Sequence, residues 1–156
     1  MPSVLFVCTG NQYRSPFAAA AFLKQLRLNG MTDRWMVGSA GTWTTPDLPP
    51  LPKAVQIAQD LGLNIADHRT RVVAADELSK NDLILVMESG HKEALCYEFH
   101  SACSRVYMLS EVVDRVSYDI PDPADPRVDA KAVAIELCDL VERGFMKICK
   151  LAASKN

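Results

Sequence analysis

The chain has 156 residues, 49% hydrophobic and 23% charged, with 17 Lys plus Arg against 19 Asp plus Glu. That length predicts one domain, residues 1–156, able to bury roughly two thirds of its unfolded surface, and the composition excludes disorder as a global description. A net charge of −2 gives no bulk attraction to nucleic acid or an anionic membrane, and no apolar run reaches the ~20 residues that cross a bilayer.

Val4-Leu5-Phe6-Val7 is a short apolar run, the form of a buried parallel strand. A helix is expected from Ser15 to Leu28, with Pro16 in its first turn and Asn29-Gly30 closing it. Trp35 to Ser39 reads as a second strand, and Gly41 to Pro52 as a proline-rich loop. Ala54 to Leu61 and Ala74 to Lys80 read as helices. Asp82 to Met87 is the clearest third strand. Ser89 to Phe99 follows as a helix with Ser89 as its N-cap, and Arg105 to Leu109 as a fourth strand. Ser117 to Pro126 is a loop. Asp129 caps a last helix to Leu151, in which Val133, Leu137, Leu140, Val141 and Ile148 recur at helical spacing. Met36, Met87, Met108 and Met146 lie in apolar runs and are expected in the core. His91 and His100 are expected at the surface.

Strands separated by helices imply an α/β three-layer sandwich, a four-stranded parallel sheet with helices on both faces and Rossmann-like or flavodoxin-like topology. Ligands of such sheets sit outside the carboxyl ends of the strands. The first strand ends at Val7-Cys8.

The five cysteines are Cys8, Cys96, Cys103, Cys138 and Cys149. An odd, widely spaced set suggests neither a disulfide framework nor a zinc site. Reduced thiols in a cytoplasm are the economical expectation. The first residues lack a basic segment and a long apolar segment, so no secretory signal is expected.

Cys8 opens the segment Cys8-Thr9-Gly10-Asn11-Gln12-Tyr13-Arg14-Ser15-Pro16, between a strand and a helix. N–H groups at a helix N-terminus have no intrahelical partner and sit at the positive end of the dipole, which makes an anion site. A loop curled around that centre aims further N–H groups inward, and Gly10 and Asn11 are residue types that tolerate φ > 0 in such a curve. Arg14 can grip two oxygens of a tetrahedral anion with its planar fork. The same field favours the thiolate of Cys8, the nucleophilic form, and Ser15 is placed to donate a hydroxyl to it.

Cys8 to Ser15 resembles the CxGNxxRS loop of the low-molecular-weight protein tyrosine phosphatases. The resemblance covers nearly the whole chain. Ser39-Ala40-Gly41-Thr42 is similar to the family's second-strand ending, Asp67-His68-Arg69-Thr70-Arg71 to the segment ahead of its third strand, and Asp122-Pro123 to its general-acid motif. The resemblance implies metal-independent hydrolysis of phosphotyrosine, or of a small phosphate monoester, through a cysteinyl-phosphate. Cys8 would be the nucleophile, Arg14 and the N–H groups of residues 9 to 14 the phosphate ligands, and Asp122 the acid. Asn11, Ser15, Ser39 and His68 would brace the loop. No cofactor or metal is implied, and a monomer or weak dimer in the cytoplasm is expected.

Asp125-Pro126 rivals Asp122-Pro123 as the acid. Ala124 and Asp125 stand where many members of the family carry aromatics, so Tyr13 and Trp43 are the candidates for contact with a substrate ring. Two rival functions remain. Thioredoxin-linked arsenate reductases resemble this fold and share Cys-Thr-Gly-Asn, but need a further cysteine pair after the third strand; Cys96 and Cys103 lie downstream of that strand but not at that place, where Met87-Glu88 follows directly. A non-catalytic phosphotyrosine-binding module would need neither Cys8 nor an Asp-Pro loop.

Overall fold

The computed structural model describes residues 1–156. In chain order it contains β1 (Ser3–Cys8), α1 (Arg14–Leu28), β2 (Met36–Gly41), α2 (Pro52–Asp60), α3 (Ala75–Lys80), β3 (Leu83–Val86), α4 (Ser89–Glu98), β4 (Val106–Met108), α5 (Leu109–Asp114) and α6 (Ala130–Lys155). Single 3-10 segments cover Thr32–Arg34 and His100–Arg105. The four strands form one parallel sheet in the order β2-β1-β3-β4.

Every residue of β1 is buried, which explains its continuous apolar run. Alternate side chains enter opposite cores. Val4, Phe6 and Cys8 pack with Phe17, Phe22, Leu137 and Leu140 of α1 and α6. Leu5 and Val7 pack with Leu78, Leu95, Ala102 and Val106 on the other face. This is the expected three-layer α/β arrangement. Chain order reverses beside β1, with β2 on one side and β3 on the other, so the carboxyl end of β1 opens into the crevice where such sheets hold ligands.

Several local expectations change. β4 stops at Met108, and the chain turns directly into α5, where Glu111 Oε1 accepts the Met108 N–H at 2.8 Å. The N-cap of α4 is Glu88 rather than Ser89, and α6 continues past Leu151 to Lys155. The Asp129 side chain caps α6 by accepting the Ala132 N–H, as expected. Met87 and Met108 are core, but Met36 and Met146 are 55% and 71% exposed. Met36 begins an edge strand and Met146 lies on the outward side of α6.

The expectation of five reduced cysteines is also corrected. Cys96 and Cys103 form a disulfide. The end of α4 and the 3-10 segment after it fold back on each other, bringing the two Cα atoms to 4.6 Å. The argument for a cytoplasmic setting loses that support. Cys8, Cys138 and Cys149 are free thiols.

Candidate active site

The loop after β1 is held from both sides. Thr42 N donates to the Cys8 carbonyl at 2.9 Å and Trp43 N to the Thr9 carbonyl at 3.0 Å, so the end of β2 escorts the loop. That close approach requires Gly41, where an added Cβ would lie 2.5 Å from the Thr9 carbonyl oxygen. The sequence segment Ser39-Ala40-Gly41-Thr42 thus has a steric reason.

Asn11 is the residue of the loop with positive φ, at 57°. Asn is one of the few residue types at ease there. It is fully buried, and each of its polar groups has a partner. Its N–H donates to Cys8 Sγ at 3.3 Å. Its Nδ2 donates to Ser15 Oγ at 2.7 Å and Ser39 Oγ at 3.0 Å. Its Oδ1 accepts the Arg71 N–H at 2.9 Å, and its carbonyl accepts from His68 Nε2 at 2.6 Å. Ser15 Oγ, already accepting from Asn11, lies 3.0 Å from Cys8 Sγ and can donate to it. The thiol is therefore met by two donors.

The backbone N–H groups of Gly10, Gln12 and Tyr13 donate to no protein acceptor. They are available to an anion above Cys8, as in a backbone nest at a helix N-terminus. Gly10 does not need positive φ, and a Cβ there would meet no atom within 4 Å.

Arg14 is 2% exposed. Nη1 donates to Glu88 Oε2 at 2.5 Å and to the Ile120 carbonyl at 2.7 Å. Nη2 lies 3.4 Å from Thr9 Oγ1 and 3.5 Å from Asp122 Oδ2. Its Nε–H has no protein acceptor. The guanidinium is thus clamped along one edge and keeps donor capacity for an anion.

A cavity of about 220 Å³ is lined by the loop residues Cys8 to Arg14 together with Leu51, Asp122 and Ala124. Asp122 therefore shares the cavity with Cys8. Asp125 does not line it, and its carboxylate is clasped by Arg127 Nε at 3.1 Å and Nη2 at 2.8 Å, which holds its carboxyl below the usual range.

Tyr13, expected from the sequence to contact a substrate ring, does not offer its ring to the cavity. The ring is buried, stacked on Phe17 at 5.0 Å between centroids, and its hydroxyl donates to the Ala130 carbonyl. Burial and the charge of Asp129 push the phenol up to about 12. Trp43 is 84% exposed and lies outside the residues lining the cavity. Gln12 turns its amide to the Pro49 carbonyl.

Burial pushes the thiol of Cys149 up to about 11 and raises that of Cys138, so neither setting favours the nucleophilic thiolate. Cys96 stands seven residues beyond Ser89 along α4, about 10 Å from the helix start. The disulfide is therefore at the opposite end of α4 from the loop.

Two site residues escape the sequence reading. Glu88 supplies a carboxylate to Arg14. His91, expected at the surface, is 6% exposed, and its Nε2 lies 2.8 Å from Thr9 Oγ1. The available signal was strand order, because a residue just past β3 must stand beside the loop past β1.

The chain matches the family model described as low molecular weight phosphotyrosine protein phosphatase over residues 3–155. It is 32% identical over 142 residues to a probable low molecular weight protein-tyrosine-phosphatase, EpsP, of Ralstonia nicotianae, covering 91% of this chain and 90% of the relative. It is 31% identical over 141 residues to a protein-arginine-phosphatase of Geobacillus stearothermophilus, covering 90% and 91%. Among solved structures, a YwlE arginine phosphatase mutant with a phosphorylated active-site serine aligns at a TM-score of 0.88 and 27% identity, covering 99% of each chain. A low molecular weight protein tyrosine phosphatase from T. tengcongensis aligns at 0.85 and 30%, covering 94% and 99%.

Proposed function

The chain belongs to the low molecular weight phosphotyrosine protein phosphatase family and is a protein phosphatase, and on that premise we propose that it hydrolyses phosphotyrosine with Cys8 as nucleophile, Arg14 as anion clamp and Asp122 as general acid. The observation that carries the reading is the convergence of Cys8, Arg14 and Asp122 on one small cavity.

The Cys8 thiolate attacks phosphorus in line, forming an S–P bond as the P–O bond to the tyrosine breaks. The Asp122 carboxyl gives its proton to the departing phenolate oxygen. Charge on the equatorial oxygens is met by loop N–H groups and Arg14, held in place before reaction. Asp122, now a carboxylate, takes a proton from water as that water attacks phosphorus. The S–P bond breaks and inorganic phosphate leaves. Asn11 and Ser15 hold the thiolate by donating to sulfur, and Ser39 and His68 hold Asn11. Trp43, exposed beside the loop, is available to a substrate ring arriving at the mouth.

A second reading, phosphoarginine as substrate, draws on the wall beyond Asp122. Ala124 stands there without an aromatic, and the Tyr13 ring faces the core. Relatives named protein-arginine-phosphatase are 31% and 30% identical to the chain. Hydrolysis of matched phosphotyrosine and phosphoarginine peptides separates the two. The first reading expects kcat/KM at least tenfold higher for phosphotyrosine, and the reverse order contradicts it. Arsenate reduction is disfavoured by the distance of the Cys96–Cys103 pair from the loop. A binding module has no use for an acid above a thiol.

The test is hydrolysis of p-nitrophenyl phosphate in EDTA. Turnover in the wild type, abolished by Cys8→Ser, is expected; a variant that keeps full activity contradicts the assignment.

A further inference from the structure

Four residues from two segments, the loop after β1 and the start of α4, form a closed hydrogen-bond ring beside the cavity. His91 in the first turn of α4 contacts Thr9 through Nε2, at 2.8 Å from Oγ1. Thr9 Oγ1 lies 3.4 Å from Arg14 Nη2. Arg14 Nη1 pairs with Glu88 Oε2 at 2.5 Å. The Glu88 backbone N–H donates to His91 Nδ1 at 3.1 Å, closing the ring.

The directions of these bonds follow from their chemistry. A backbone N–H only donates, so His91 Nδ1 must be the unprotonated nitrogen. The proton of the neutral imidazole is then on Nε2 and is donated to Thr9 Oγ1. The Arg14 guanidinium has no acceptor, so it also donates to Thr9 Oγ1. Both lone pairs of that hydroxyl are now occupied. Its own hydrogen has no protein acceptor, and Thr9 lines the cavity that holds Cys8. The opposite tautomer and the imidazolium both set an Nδ1–H against the Glu88 N–H.

We infer that His91 is a positioning residue that turns the Thr9 hydroxyl into a dedicated donor for a bound phosphoryl oxygen. The inference rests on the phosphatase reading of the site and adds a contact to it. Arg14, Glu88, Asp119 and Asp122 are the charged groups that face the imidazole. Burial and the Arg14 charge lower the ring's affinity for a second proton, in line with the tautomer the backbone demands.

The test is a double-mutant cycle read by competitive inhibition with inorganic phosphate and by kcat/KM for p-nitrophenyl phosphate. Thr9→Val removes a hydrogen bond to an anion and is expected to weaken phosphate binding by about ten- to a hundredfold. Thr9→Ser restores the hydroxyl and recovers most of that loss. His91→Asn keeps an acceptor in place of Nδ1 but cannot donate to Thr9; a several-fold loss is expected, which His91→Gln, with its amide donor further out, partly recovers. Because His91 acts through Thr9, the Thr9→Val, His91→Asn double variant loses no more than Thr9→Val alone. Losses that multiply in the double variant, or phosphate binding unchanged in Thr9→Val, overturn the inference. Ring ¹⁵N NMR of the wild type is independent of variant folding. It should show the Nε2–H tautomer at neutral pH, and the Nδ1–H tautomer overturns the inference. A wild type that binds phosphate but never turns over defeats the phosphatase reading alone, since the phosphate cycle still decides the role of His91.

Discussion

Glu88 Oε2 lies 2.5 Å from Arg14 Nη1, so the clamp at the centre of the site already carries a carboxylate on one edge. Arg14 is buried and Glu88 half-buried. Removing the carboxylate leaves a buried guanidinium short of one partner, which costs more than a surface pair contributes. Glu88→Ala is expected to lower stability by about 2 kcal/mol, a drop in Tm of several degrees for a chain this size. Inorganic phosphate should raise Tm more in that variant than in the wild type, because it supplies the missing negative charge. Equal phosphate-induced shifts contradict this account of the pair.

Asp122 and Asp125 differ by environment. Asp122 shares the cavity with Cys8, whereas Asp125 is tied to Arg127 outside it. Asp122→Ala should reduce kcat by about a hundredfold or more, the scale of a lost general acid. Asp125→Ala should leave kcat within a few-fold. Steady-state kinetics on the two variants checks this, and a larger loss at Asp125 reverses the assignment.

Asn11 joins the loop to β2 and to the segment before α3 through its whole set of polar groups. Asn11→Asp keeps size and backbone preference but removes the Nδ2 donors to Ser15 and Ser39 and adds charge beside Cys8. A buried oxygen then faces two hydroxyls, and the serine that serves the thiol is turned away from it. Activity should fall at least tenfold, mostly in kcat, and a kcat equal to wild type contradicts the bracing role.

His68 and His91 are both held below the ordinary histidine value of 6.5, chiefly by burial. As pH falls from that value, the unfolded chain takes up protons before the folded one does. Stability supplied by the neutral rings is therefore full above about pH 6.5 and is lost as pH falls toward the depressed folded values. Calorimetric unfolding near pH 6, in buffers of different ionisation enthalpy, should report net proton uptake. No uptake, or release, contradicts the burial of these rings.

The Cys96–Cys103 disulfide closes a short loop at the far end of α4. Replacing both cysteines by serine should cost about 2 kcal/mol, the entropy of freeing a loop of that length, and leave hydrolysis of p-nitrophenyl phosphate intact. Arsenite formation with thioredoxin that depends on these two cysteines contradicts the phosphatase account.

Much of this site was legible because its chemistry is local. The Cys8 loop is contiguous, and a strand, a turn and a helix start follow one another within a few residues. The four strands were legible for the same reason, each being an apolar run bounded by turns. What escaped is long-range. Glu88 and His91 reach the loop only because β3 pairs with β1, and no local pattern around His91 announces that contact. Tyr13 is misread because position in a functional loop does not say which way a ring turns. Phe17 one turn on and the Ala130 carbonyl across the fold decide it. Cys96 and Cys103 looked like separate thiols because the fold-back that joins them follows from the 3-10 segment after α4. α5 was missed because Met108 is not a capping residue type, and the Glu111 contact that starts the helix is visible only in the fold.

The central claim is that phosphate passes through Cys8. Acid-quenched mass spectrometry of the enzyme during turnover, with Asp122→Ala used to slow release, tests it most directly. The account predicts one phosphoryl adduct, located on Cys8. Turnover with no adduct, or with an adduct on any other residue, contradicts it.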